Sequence, residues 1–197
     1  NFDGTLLNAV AWHMRHDPKF DANNPHIGLV HRIDKDTSGL LVIAKTPHAK
    51  THLGKQFFDK TTKRQYVAVV WGEMSDECGR IEGNIGRSLK DRLQMTVFPE
   101  GDMGKHAVTH YTTLENLGHV SVVRCQLETG RTHQIRVHMQ SIGHPVVGDR
   151  KYGHGNEYSP VDRLCLHAQT IEFIHPMTEK KVRFEAAMPK EFTRVCN

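Results

Sequence analysis

Residues 31–39, His31-Arg32-Ile33-Asp34-Lys35-Asp36-Thr37-Ser38-Gly39, form a polar run broken only by Ile33, set between the apolar stretches 27–30 and 40–44. Polar clusters at strand junctions cost free energy unless their groups are paired, and they often mark sites. Asp34 stands between Arg32 and Lys35. Cationic neighbours favour the charged form of a carboxylate, which is the form a nucleophile requires. The competing reading is a turn whose Asp, Thr and Ser side chains satisfy their own backbone.

A second segment, 127–138, runs Leu-Glu-Thr129-Gly130-Arg131-Thr132-His133-Gln134-Ile135-Arg136-Val137-His138. Gly130 is expected to end a strand and Thr132 to cap the helix that follows. The free N–H groups and dipole of a helix start favour an anion, and Arg131 and Arg136 add positive charge there. Alone, the segment also fits an amphipathic helix with a solvated basic face. A third segment, 143–153, is a loop punctuated by Gly143, Pro145, Gly148 and Gly153 that could shape a site or grip a nucleic-acid backbone. Fifteen histidines raise the question of a metal. Their spacing argues against one: there is no H-E-x-x-H, His133 and His138 do not share a helix face, and His48 and His52 have no carboxylate between them.

The surrounding pattern supplies elements to hold these groups. Residues 5–16 carry apolar side chains at helical spacing. Residues 40–44 read as a buried strand because the apolar run is continuous. Thr46 and Pro47 mark a helix start, with Ala49, Leu53 and Phe57 as its buried face. Strands are expected at 66–71, 93–98, 107–114, 120–127, 164–174 and 181–186, and a helix at 132–142. The turns lie at 101–104 and 118. The result is an α+β protein with a mixed, mainly antiparallel sheet and two or three helices.

The length of 197 residues suits one domain with a sizeable core. At 38% hydrophobic and 24% charged residues the composition is that of a folded soluble protein. The net charge of +4 permits a nucleic-acid partner without requiring one. Cys78, Cys125, Cys165 and Cys196 show no paired spacing, as expected of free thiols in a reducing, cytoplasmic setting. No apolar run is long enough for a membrane span, and no signal peptide is visible.

Taken together, the motifs resemble the RluA/RluD-type family of RNA pseudouridine synthases. The family motif H-R-[LI]-D-x-x-T-[ST]-G matches residues 31–39, and T-G-R-x-H-Q-[IL]-R-x-H matches 129–138. G-H-P-x-x-G-D matches 143–149, and a strand tyrosine in a Tyr-x-Ala context matches Tyr66. Four motifs in family order, over about residues 5–190, are far more specific than one short pattern. The family's opening N-K-P-x-G strand and the S4-type domain of many relatives are not in the sequence, so the expectation is a single catalytic domain over 1–197 that starts just after that strand.

The resemblance implies isomerisation of uridine to pseudouridine without metal or cofactor, by a monomer acting on RNA. Asp34 is the implied catalytic carboxylate, attacking either uracil C6 or ribose C1′. Arg136 is its basic partner, and Tyr66 packs on the base and helps remove the C5 proton. Arg32 would enter the gap left by the flipped nucleotide, and His31, Thr37, Arg131 and Gln134 would contact substrate. The implied RNA is 23S ribosomal RNA, with transfer RNA as the alternative. A non-catalytic RNA-binding module and a carboxylate-dependent hydrolase are the remaining readings. The hydrolase would need a second carboxylate in the pocket.

Overall fold

The computed structural model describes residues 4–17, 28–98, 101, 103–153 and 161–196. The chain divides into two compact units. One comprises Asn1–Arg32, Leu41–Thr62 and Glu172–Phe184; the other comprises Ile33–Leu40, Lys63–Ile171 and Glu185–Asn197.

In the first unit, α1 (Leu6–Met14) begins at a reciprocal cap, with Asn8 N donating to Thr5 Oγ1 and Thr5 N to Asn8 Oδ1. Leu6 and Leu7 stay about half exposed, and Met14 is the buried residue of this helix. Helix α2 (Pro47–Phe58) starts as the sequence indicates: the Thr46 hydroxyl accepts from Ala49 N at 3.1 Å and Pro47 opens the first turn. Leu53 and Gln56 are its buried residues, while Ala49 and Phe57 are half-buried. Gln56 is buried because its amide mimics a strand neighbour, donating to Ile174 O and accepting from Ile174 N, both at 2.8 Å. The expected strand over 40–44 shrinks to β3 (Ile43–Ala44), paired antiparallel with β1 (Gly28–Leu29). The apolar run is split because the chain passes from one unit to the other between Leu40 and Leu41.

The second unit is built on a sheet whose strands are β4 (Lys63–Trp71), β5 (Cys78–Arg87), β6 (Met95–Phe98), β7 (Lys105–Asn116), β8 (Val120–Leu127) and β9 (Leu166–Ile174). Their order is β9-β4-β8-β7-β5-β6, with β2 (Ser38–Gly39) parallel on β9. The pairs β4–β8, β8–β7, β7–β5 and β5–β6 are antiparallel. The last residues of β9 extend into the first unit, which also holds most of β10 (Lys181–Glu185). The α+β class with a mainly antiparallel sheet is thus as expected. Strand β8 coincides with the expected span; β5 and the helix α4 (Lys190–Cys196) were not anticipated.

One face of this sheet forms the core. Ala68, Val70, Val123 and Cys125 are fully buried there, in one cluster with Ile135 and Met139 of α3 (Gln134–Ser141) and Phe192 and Val195 of α4. Burying each such aliphatic side chain contributes about 1.5–3 kcal/mol. No helix among the described residues is long and apolar enough to cross a membrane.

Candidate active site

The Asp34 segment is seated on the sheet. Ile33 packs against the core. Thr37 N donates to Asp34 O at 3.0 Å and closes a turn over residues 34–37. Ser38 and Gly39 then pair with His167 and Ala168 of β9, the Ser38 hydroxyl lying 2.8 Å from His167 Nδ1. Gly39 has φ +109, and a Cβ there would sit 2.2 Å from Ala168 O, so glycine is what lets the segment approach β9. The Asp34 side chain is left 14% exposed.

Arg136 rises from the first turn of α3 to meet it, Nη1 lying 3.5 Å from Asp34 Oδ2. The same guanidinium makes a two-point contact with Asp149, Nε to Oδ2 at 2.7 Å and Nη2 to Oδ1 at 2.8 Å. The Asp149 side chain is wholly buried, and its Oδ1 also accepts from Lys151 N and Tyr152 N. Burial opposes the charge on Arg136, but the hydrogen bonds and charge of Asp149, with Asp34 behind them, outweigh it and hold the guanidinium above its ordinary pKa.

Asp149 reaches this position because the loop after α3 is stitched to β4. Val147 N donates to Val69 O, and Val146 bridges to Val70. Gly148, at φ +73, makes the bend; a Cβ there would fall 1.9 Å from Arg163 O. This loop therefore builds the site from behind, a role the sequence signals only through its match to the family pattern.

Tyr152 and His133 complete the wall. The Tyr152 hydroxyl accepts from Met95 N at 2.9 Å and lies 2.7 Å from His133 Nδ1. Burial foremost lowers the His133 pKa; Arg136 and Lys151 add to this while Asp34 opposes it. His133 occupies the N-cap of α3 in the left-handed region, at φ 57, without a side-chain cap. The expected cap by Thr132 is thus replaced. The Gln134 Oε1 instead accepts from Arg131 N at 2.9 Å, which ties the preceding turn to the helix start.

Tyr66, opposite Cys125 in β4–β8, is 6% exposed. Burial raises its pKa; Arg64 opposes the rise and the Asp34 charge adds to it, which puts the phenol within electrostatic reach of the carboxylate. A cavity of about 670 Å³ is lined among others by Lys35, Asp36, His133, Arg136, Asp149 and Arg163; Asp34 and Tyr66 are not among its lining residues. The cavity is large enough for a nucleotide-sized ligand.

The other expected site residues divide. Thr37 is buried and its hydroxyl meets no partner among the described residues. Arg131 is half-buried, with Nε donating to His106 O. Gln134 is 3% exposed and spends its amide on Thr129, Arg131 N, Val108 O and Thr109. It has no free polar atom for a substrate; its place is structural. His31 and Arg32 belong to the first unit. There His31 stacks on Phe57 at 4.5 Å and its Nε2 accepts from Val42 N, a structural use of the ring, while Arg32 is exposed. Asp149, Tyr152 and His133 were not singled out as site residues by the sequence. Among the described residues no group of three or more His, Cys, Asp or Glu is placed to hold a metal ion.

A carboxylate facing a buried, anchored guanidinium that lines a nucleotide-sized cavity is compatible with nucleophilic chemistry, and comparison with known proteins specifies the family. Residues 12–141 match the family model described as RNA pseudouridylate synthase. The chain belongs to this family. It is 43% identical over 198 residues to the ribosomal large subunit pseudouridine synthase D of Zymomonas mobilis, covering 97% of this chain and 62% of that protein. To the uncharacterized RNA pseudouridine synthase YlyB of Bacillus subtilis it is 46% identical, with 98% and 62% covered. The chain thus spans less than two thirds of the length of these relatives. The solved human RNA pseudouridylate synthase domain containing 1 superposes with a TM-score of 0.72 at 30% identity, covering 83% of this chain and 69% of that one. The RluA/RluD-type membership read from the motifs agrees with the curated relatives.

Proposed function

We propose that this chain converts uridine to pseudouridine in RNA, in the cytoplasm, on the large-subunit ribosomal RNA that the names of its relatives specify. The observation that carries the reading is the pairing of Asp34 with Arg136 at 3.5 Å beside the nucleotide-sized cavity.

Asp34 attacks the extruded uridine at uracil C6 or ribose C1′. The N1–C1′ bond breaks, the uracil turns, C5 bonds to C1′, the bond between Asp34 and the substrate breaks to restore the carboxylate, and the C5 proton leaves as N1 gains one. Arg136, which lines the cavity, holds the Asp34 carboxylate in position. Tyr66 packs on the base as a neutral phenol, so it accepts the C5 proton only by passing on its own. Thr37 and Arg131 contact the substrate, and Arg32 fills the space left by the flipped nucleotide. The chemistry draws on no metal or cofactor and needs a single copy of the chain.

The test is tritium release from RNA carrying 5-tritiated uridine. Isomerisation frees tritium and keeps uracil in the RNA, hydrolysis frees uracil, and a binding module does neither. Asp34→Asn should abolish release while leaving RNA affinity nearly unchanged. Turnover near the unsubstituted rate in that variant would rule out Asp34 as the nucleophile. Ribosomal RNA and transfer RNA supplied side by side decide the substrate.

A further inference from the structure

A second cavity, of about 630 Å³, adjoins the first and shares His133 and Leu93 with it. Among the described residues its walls carry three cations, Arg87, Lys105 and Arg131, and no carboxylate. Strand register explains their convergence. Ile85 pairs with Lys105 across β5–β7 and Arg87 pairs with Met95 across β5–β6, so these four side chains share one sheet face. Arg131 projects over the same cavity from the turn before α3.

The two arginines are held in place by backbone rather than by acids. Arg87 Nη1 donates to Arg92 O at 2.8 Å and Arg131 Nε donates to His106 O at 3.0 Å. Among the described residues none of the three cations lies within ion-pair distance of a carboxylate. The first cavity is different: Asp36, Asp91, Asp149 and Asp162 line it together with its cations. A neighbouring cavity walled by uncompensated, pre-positioned cations favours a polyanion, and the shared His133 wall makes the two spaces consecutive along any strand that occupies both.

We propose that Arg87, Lys105 and Arg131 form a track for the phosphates of nucleotides flanking the target uridine, so that the RNA leaves the catalytic cavity past His133 across the β5–β6–β7 face. The inference rests on the proposed function for the nature of the chain that is bound, and adds Arg87 and Lys105 as RNA contacts.

The test uses the full chain and a fluorescein-labelled uridine-containing RNA hairpin, with Kd measured by anisotropy over a series of salt concentrations. Arg87→Gln/Lys105→Gln should raise Kd about tenfold and lower the slope of log Kd against log salt by about 1.5, as two lost phosphate contacts imply. The charge-keeping Arg87→Lys/Lys105→Arg should bind within about twofold of the unsubstituted protein. Unchanged Kd and slope in the glutamine variant, in a protein that still releases tritium, overturn the track and leave the enzymatic reading standing. The predicted rise in Kd and fall in slope support the track; if they occur while the unsubstituted protein releases no tritium from the same RNA, the track stands and the enzymatic reading falls. Should the double variant fail to fold, Lys105→Glu, at an exposed strand start, carries the test alone: a raised Kd supports the track and an unaltered one overturns it.

Discussion

Arg136 grips Asp149 through two hydrogen bonds of 2.7 and 2.8 Å, while it faces Asp34 at 3.5 Å with a single nitrogen. The tighter contact fixes the guanidinium; the looser one leaves the Asp34 oxygen free to reach a substrate. Bidentate arginine–carboxylate pairs combine strength with fixed geometry, and here the fixed side is the buried one.

Removing Arg136 should therefore do two separable things. Arg136→Met should abolish most product formation and cost about 3–5 kcal/mol of stability, because the buried Asp149 loses its partner charge. Adding Asp149→Asn should recover much of that stability, read by urea denaturation, and none of the activity. Recovery of activity in the double variant would show that Arg136 serves only as a prop.

Tyr66→Phe should lower tritium release by about 10²-fold or more if the phenol moves a proton, with the melting temperature little changed because the ring stays packed. Burial, reinforced by Asp34, holds the phenol above its ordinary pKa and so in its neutral form. The rate of the unsubstituted enzyme should then show no rise from this group between about pH 7 and pH 9. A rise there that vanishes in Tyr66→Phe would mean that the phenolate is the working form.

Gly39→Ala should displace the nucleophile. The backbone at φ +109 and the 2.2 Å approach to Ala168 O leave no room for a methyl group. The variant should lose on the order of 1–3 kcal/mol or more and most of its activity together. A fully active, equally stable Gly39→Ala would show that the β2–β9 pairing does not set the position of Asp34.

His138 should make the fold acid-sensitive. It is fully buried, its Nδ1 is 2.9 Å from the Thr109 hydroxyl, and burial pushes its pKa from 6.5 down to about 4. The unfolded chain therefore binds a proton that the folded chain refuses. The stabilisation is complete above 6.5 and is lost as pH falls from there towards about 4, amounting to on the order of 2–3 kcal/mol. Denaturation midpoints at neutral and mildly acidic pH should differ accordingly, and His138→Asn should flatten that part of the profile.

Local chemistry made much of this legible. Thr46 and Pro47 announce α2 because a cap and an N1 proline act within one turn, and the valine-rich run after the Gly118 turn marks β8 at its observed bounds. Strand β5 is hidden by Gly79, Gly83 and Gly86, which weaken strand propensity; Gly79 is there because the Tyr111 ring fills its face of the sheet. Helix α4 is short, and Phe192 and Val195 show their purpose only against β8. In the site, Asp34, Tyr66 and Arg136 could be named from motifs. The left-handed His133 could not, because its conformation accompanies a bond to Tyr152 nineteen residues away. Gln134 looks like a substrate contact in the sequence, since nothing local reveals that the backbone of β7 consumes its amide.

The seat of Asp34 on β9 has a consequence for biosynthesis. Ser38 and His167 are 129 residues apart in the chain. In a polypeptide emerging from the ribosome, the Asp34 segment must wait for β9, more than a hundred residues later, before it has this strand to rest on. Docking of this segment is a late, long-range closure, which slows folding.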